Sequence, residues 1–151
     1  MTPEQKRQAV CELAASQEGV IGADRYWREV LGPKWQGPYP RHWCGAFALW
    51  ALRQTLGCDC MWEIDGITNN KKRSGFLWQL RPATDPQPGD ICYSDLPYQH
   101  HAVLLAIGEQ DNGKRFTISQ DGNQGAAPGK CLRIYRKLPK WSAIYSIESL
   151  L

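Results

Sequence analysis

The sequence predicts an α+β fold, with N-terminal helices packed on an antiparallel sheet of about five strands. Three observations carry this expectation. The longer runs with apolar residues at helical spacing lie before Gly57. Short apolar or alternating runs, separated by turn signals, occupy the chain after Asp90. Glycine and proline punctuate the chain between these segments, at Gly19, Gly22, Gly32-Pro33, Gly57 and Pro86-Gln87-Pro88-Gly89. With 151 residues, 42% hydrophobic and 22% charged, the chain is expected to be one globular domain, or one with an N-terminal extension, with a real core.

The first helix is expected over 4–17, where Val10, Leu13 and Ala14 recur among charged residues and Thr2-Pro3 supplies an N-cap followed by proline. Gly19 and Gly22 break the chain. A second helix runs from Asp24 to Leu31 and stops at Gly32-Pro33. The loop 32–42 is rich in proline, glycine and aromatics. A third helix opens at Cys44, continues to Thr55-Leu56 and ends at Gly57. Phe76, Leu77 and Leu80 read as a short buried helical turn, and Lys71-Lys72-Arg73 as a solvated turn. Asp85-Pro86-Gln87-Pro88-Gly89-Asp90 is a loop. Strands follow at 91–93, 101–107, 115–119, 130–136 and 144–147, with a hairpin turn at Asp111-Asn112-Gly113-Lys114 and a loop over 122–129.

Cys44 is the residue with the clearest chemical position. The preceding Pro38-Tyr39-Pro40-Arg41-His42 cannot be helical throughout, so the cysteine falls on the first turn of an apolar helix. Free N–H groups and the positive end of the helix dipole favour a thiolate there. A thiol nucleophile also needs a base. His101 opens the longest apolar strand, and His100 precedes it. Alternation sends the two to opposite faces, so only one is expected to face Cys44. Ser119, Asp121 and Asn123 share a face if the next strand continues, so Asp121 or Asn123 is placed to accept from the far imidazole nitrogen. The competing readings are loop-end histidines and ordinary turn chemistry at Asp-Gly-Asn-Gln-Gly. Trp35, Tyr39 and His100 are candidates for a substrate groove; Trp43 reads as core.

The other cysteines are Cys11, Cys58, Cys60, Cys92 and Cys131. Cys58-Asp59-Cys60 lacks zinc-knuckle spacing and has no second pair, so no metal site is expected; a disulfide involving Cys58 or Cys60 stays open. No cofactor is called for. The net charge of +3 is mild, the basic residues are scattered, and no nucleic-acid-binding motif is present, so nucleic acid is not an expected partner. No stretch reaches the length of a membrane span, and the start Met1-Thr2-Pro3-Glu4-Gln5-Lys6 carries no signal-peptide pattern.

The order of Trp43-Cys44-Gly45-Ala46-Phe47, Pro86-Gln87-Pro88-Gly89-Asp90, His101-Ala102-Val103-Leu104-Leu105-Ala106-Ile107-Gly108 and Gln120-Asp121-Gly122-Asn123-Gln124 resembles the CHAP family. These are cysteine, histidine-dependent amidohydrolases/peptidases, relatives of the NlpC-type cell-wall hydrolases on a papain-like fold. The resemblance covers residues 10 to about 125, with the strands in 130–148 completing the sheet of one 1–151 catalytic domain. It implies Cys44 as nucleophile, His101 as general base and acid, and Asp121 and Asn123 as the residues that orient the histidine. His100 stands where the family usually has glycine, and Asp121 where it commonly has glutamate. The resemblance further implies peptidoglycan as substrate, cleaved as an N-acetylmuramoyl-L-alanine amidase or a stem-peptide endopeptidase. Without a signal peptide, delivery to the periplasm or cell wall is expected by phage lysis, a virion or a secretion machine, and a secreted antibacterial effector would be paired with an immunity protein. The alternatives are a non-catalytic peptide- or glycan-binding module and a cysteine hydrolase of a non-wall amide.

Overall fold

The computed structural model describes residues 1–63 and 75–151. Three helices, α1 (Pro3–Ser16), α2 (Asp24–Leu31) and α3 (Cys44–Leu56), precede six strands. The strands are β1 (Arg81–Pro82), β2 (Ile91–Ser94), β3 (His100–Glu109), β4 (Arg115–Gln124), β5 (Lys130–Lys137) and β6 (Ala143–Ser146). They form one antiparallel sheet in the order β1-β6-β2-β3-β4-β5. The α+β expectation holds. The sheet has six strands rather than about five, because the short edge strand Arg81–Pro82 pairs with β6.

Local chemistry accounts for the helix ends. Thr2 and Gln5 form a reciprocal capping box on α1: the Gln5 amide donates to Thr2 Oγ1 at 3.1 Å, and the Thr2 amide to Gln5 Oε1 at 2.8 Å. Gly57 closes α3 in the left-handed conformation, φ 61° and ψ 29°, and its N–H donates to the Arg53 carbonyl at 2.9 Å. Every residue of α3 from Cys44 to Leu49 is buried, as its nearly continuous apolar sequence requires. The helix packs between α1 and α2 on one side and β3 and β4 on the other.

The sheet therefore has two unequal faces. The helices cover one, in a core that includes Val10, Trp27, Phe47, Leu49, Val103 and Ile147. A smaller cluster of Cys92, Ala102, Leu104, Trp141 and Ile144 lies on the other. The Phe76–Leu80 segment is buried, with a 3₁₀ turn at Leu77–Gln79. The Lys71-Lys72-Arg73 turn lies outside the described residues.

Asp90, at the end of the Pro-Gln-Pro-Gly-Asp loop, ties these parts together. It is 1% exposed and accepts from Arg7 Nη1 of α1 at 2.7 Å, from the Gln87 amide at 2.9 Å and from the Ile147 amide at 3.0 Å. One carboxylate thus joins the first helix, the loop before β2 and the segment after β6.

Candidate active site

Cys44 takes its place from its neighbours on both sides. Trp43, 1% exposed, stacks on Tyr26 with centroids 5.5 Å apart and donates from Nε1 to the Pro128 carbonyl at 2.9 Å. Trp43 is core, as its sequence context suggests. Trp43, at the N-cap of α3, makes no side-chain capping bond, and a helix start leaves its first N–H groups without intrahelical acceptors. Gly45 is needed for close approach: a Cβ there would meet the Trp62 ring at 2.5 and 2.7 Å and His101 Nδ1 at 3.0 Å.

The thiol lies beside His101. His101 Nδ1 lies 4.0 Å from Cys44 Sγ, and the His100 imidazole also interacts with the thiol. Of the pair, His101 is the one whose ring nitrogen is at contact distance from the sulfur and which lines the groove there. The two histidines are the first two residues of β3, and alternation puts their side chains on opposite faces of the strand.

The two imidazoles have different surroundings. His101 is walled by aromatics: Tyr93 edge-on at 5.1 Å, Phe76 stacked at 5.9 Å and Trp62 tilted at 6.0 Å. Its Nε2 is buried with no hydrogen-bond partner among the described residues. His100 lies in a polar array on the other face. Its Nε2 is 2.5 Å from Asp121 Oδ2, and its ring stacks on Trp141 at 6.1 Å. Asp121 is fully buried. Ser119 Oγ donates to its Oδ1 at 2.6 Å, and Arg136 Nη2 pairs with its Oδ2 at 2.7 Å. Arg136 Nη1 donates to Ser119 Oγ at 3.1 Å, and the guanidinium lies over the Trp141 ring at 4.8 Å.

Asp121 therefore bonds to His100, and the expected contact with His101 is not formed. The register explains this. Val103 pairs with Gln120, which leaves Asp121 on the Ala102 side of the sheet, the face of His100. Asn123 meets neither imidazole in the hydrogen bonds of the described residues. Its φ of 59° breaks the alternation, where the register shifts between Asp121 and Gln124, and its Oδ1 lies against Gly129. β4 nevertheless runs through Gly122 to Gln124, where turn chemistry suggested a loop. Gly122 allows this, because a Cβ there would meet Trp43 at 2.8 and 2.9 Å and Phe47 at 3.0 Å.

The electrostatics follow from the geometry. Burial opposes ionisation of the Cys44 thiol, but hydrogen bonds from His100 and His101 outweigh it and lower its pKa to about 5. Burial likewise disfavours the His100 cation, yet Asp121 and Cys44 raise its pKa to about 9. Asp121 pays a burial penalty as well, and His100 and Arg136 hold it below the usual carboxylate range. At neutral pH these shifts favour a Cys44 thiolate beside a His100 imidazolium.

A groove of about 330 Å³ opens at Cys44 and is lined by Trp27, Pro40, His42, Trp62, Tyr98, Gln99 and His101. His100 is absent from this lining. Trp35 is absent too, and Tyr39 lines a neighbouring cavity instead. Of the groove aromatics, His42 stacks on the exposed Tyr98 at 6.4 Å. The sequence reading missed Ser119 and Trp141 as partners of the polar array, and Arg136, whose alternation on β5 signals only a half-buried strand. Among the described residues no group of three or more His, Cys, Asp or Glu is arranged to hold a metal ion. Among them no helix is long and apolar enough to cross a membrane.

No family model, curated protein or solved structure matches this chain.

Proposed function

We propose that this chain is a papain-like cysteine amidase or endopeptidase that cleaves an amide bond of peptidoglycan, between muramic acid and L-alanine or within the stem peptides and their cross-links. The observation that carries the reading is the thiol of Cys44, beside the His101 imidazole at a helix start and open to a groove. The order of the Trp-Cys-Gly-Ala-Phe, Pro-Gln-Pro-Gly-Asp and His-Ala-Val-Leu motifs supports the substrate class.

The residues divide the work. Cys44 thiolate attacks the amide carbonyl. His101 lines the groove, so as the imidazolium it gives its proton to the leaving amine, and as the neutral imidazole it then takes a proton from the water that hydrolyses the thioester, which returns it to its starting form. The Cys44 N–H is aimed from the helix start and serves the developing oxyanion. His100, fixed by Asp121 and Arg136, keeps a positive charge near the sulfur and so maintains the thiolate. This assigns the acid–base role to His101 and the charge-holding role to the His100–Asp121 pair.

Digestion of purified peptidoglycan, followed by mass spectrometry of the muropeptides, tests the proposal. The expected products carry new amine termini at one class of amide bond, with the glycan strands intact. Release of reducing sugar ends without new amines would contradict it.

A further inference from the structure

A second and larger cavity, of about 910 Å³, adjoins the groove at Cys44. Pro40 is common to both linings. The stretch leading to the nucleophile contributes alternately: Arg41 and Trp43 line the larger cavity, His42 and Cys44 the groove. A chain bound at the thiol and passing over Pro40 therefore enters the larger cavity.

The charge of this cavity is one-sided. Arg25, Arg28 and Arg41 line it, against the single carboxylate of Asp24. Arg25 and Arg28 are three residues apart on α2 and so share a face. Arg25 donates to the neutral Gln17 Oε1 at 3.3 Å. The ion pairs among the described residues involve Arg7 and Arg136, and none of these three arginines. Guanidinium groups with no carboxylate partner among the described residues, lining a cavity large enough for a peptide segment, suit bidentate recognition of carboxylates. Tyr39 and Trp43 add apolar wall beside them.

We propose that this cavity is a subsite for the free carboxylates of an anionic peptide whose scissile amide lies at Cys44, with Arg28 and Arg41 as its principal contacts. The proposal rests on the reading of the chain as a wall amidase or endopeptidase and narrows its substrate to stem peptides with unmodified carboxyl groups.

The test uses the full chain carrying Cys44→Ala, so that binding is measured without turnover. Soluble muropeptides with free stem carboxylates, and the same muropeptides with those carboxylates amidated, are titrated in by calorimetry at low salt. Amidation is expected to weaken binding by about tenfold, the effect of losing a charge-assisted hydrogen bond. Adding Arg28→Ala and Arg41→Ala is expected to weaken binding of the free-carboxylate form by a similar factor and to leave the amidated form unaffected. Alkylation of Cys44 at the wild-type rate in an Arg28→Ala, Arg41→Ala protein with Cys44 intact confirms that the site is folded. Equal binding of the two muropeptides, equal loss for both in the arginine variant, tighter binding of an anionic phosphate polymer than of the carboxylate form, or no binding, would overturn the subsite. Carboxylate-selective binding without amide hydrolysis by the wild type would leave the subsite standing and remove the enzymatic reading. Hydrolysis with charge-independent binding would do the reverse.

Discussion

Cys44 is set by opposing influences: burial favours the neutral thiol, and two imidazoles favour the thiolate. Iodoacetamide alkylation of Cys44, followed peptide by peptide, is therefore expected to be half-maximal near pH 5 rather than near 9, the ordinary thiol value. The peptide resolution matters because the Cys58 thiol is also lowered, to about 6, by a hydrogen bond from Cys60. Cys11, Cys92 and Cys131 are all pushed up by burial and should label slowly. His100→Ala should move the Cys44 midpoint upward; an unchanged midpoint would remove His100 from the account. Turnover is expected to rise with pH through about 5, as Cys44 ionises. His101→Ala should lower kcat by something on the order of a thousandfold, through loss of the groove-side acid. A smaller intrusion has a similar target: Gly45→Ala pushes a methyl against Trp62 and His101, and should reduce kcat/KM while leaving the melting temperature within a few degrees.

At the scale of elements, the site depends on where β3 begins and how far β4 extends. The helix limits were legible because their stops are chemical: Gly32-Pro33 ends α2 and Gly57 ends α3. β1 was not legible, since Arg81–Pro82 carries no apolar alternation and pairs only because β6 lies beside it. The end of β4 was misread because Asp-Gly-Asn-Gln carries turn chemistry, and packing of Gly122 on Trp43 and Phe47 overrides it. The pairing of Asp121 could not be read either. Alternation sorts residues onto faces, but the register decides which neighbour each one meets. The Asp90 clamp yields its own prediction. Asp90→Ala leaves the largely buried Arg7 without its ion pair and the Ile147 amide without its acceptor. A loss of about 3 kcal/mol in denaturant unfolding is expected, and a loss below about 1 kcal/mol would mean that the clamp is not structural.

Over the whole molecule, the end of the chain returns to the middle of the fold. β6 lies between β1 and β2, Trp141 stacks on His100 and donates to Thr117, and Ile147 is fully buried. The C-terminal segment thus supports the polar array of His100 and Asp121, so a variant ending at Lys140 should lose cooperative unfolding along with activity. The functional account brings together residues from α3, β3, β4 and β5 around one sulfur. Its central claim is that this sulfur performs the chemistry. The most direct measurement is the rate of new amine formation from purified peptidoglycan by the wild type and by Cys44→Ala at equal concentration. The account predicts turnover by the wild type and none above background by Cys44→Ala. A Cys44→Ala protein that releases amines at the wild-type rate would contradict it.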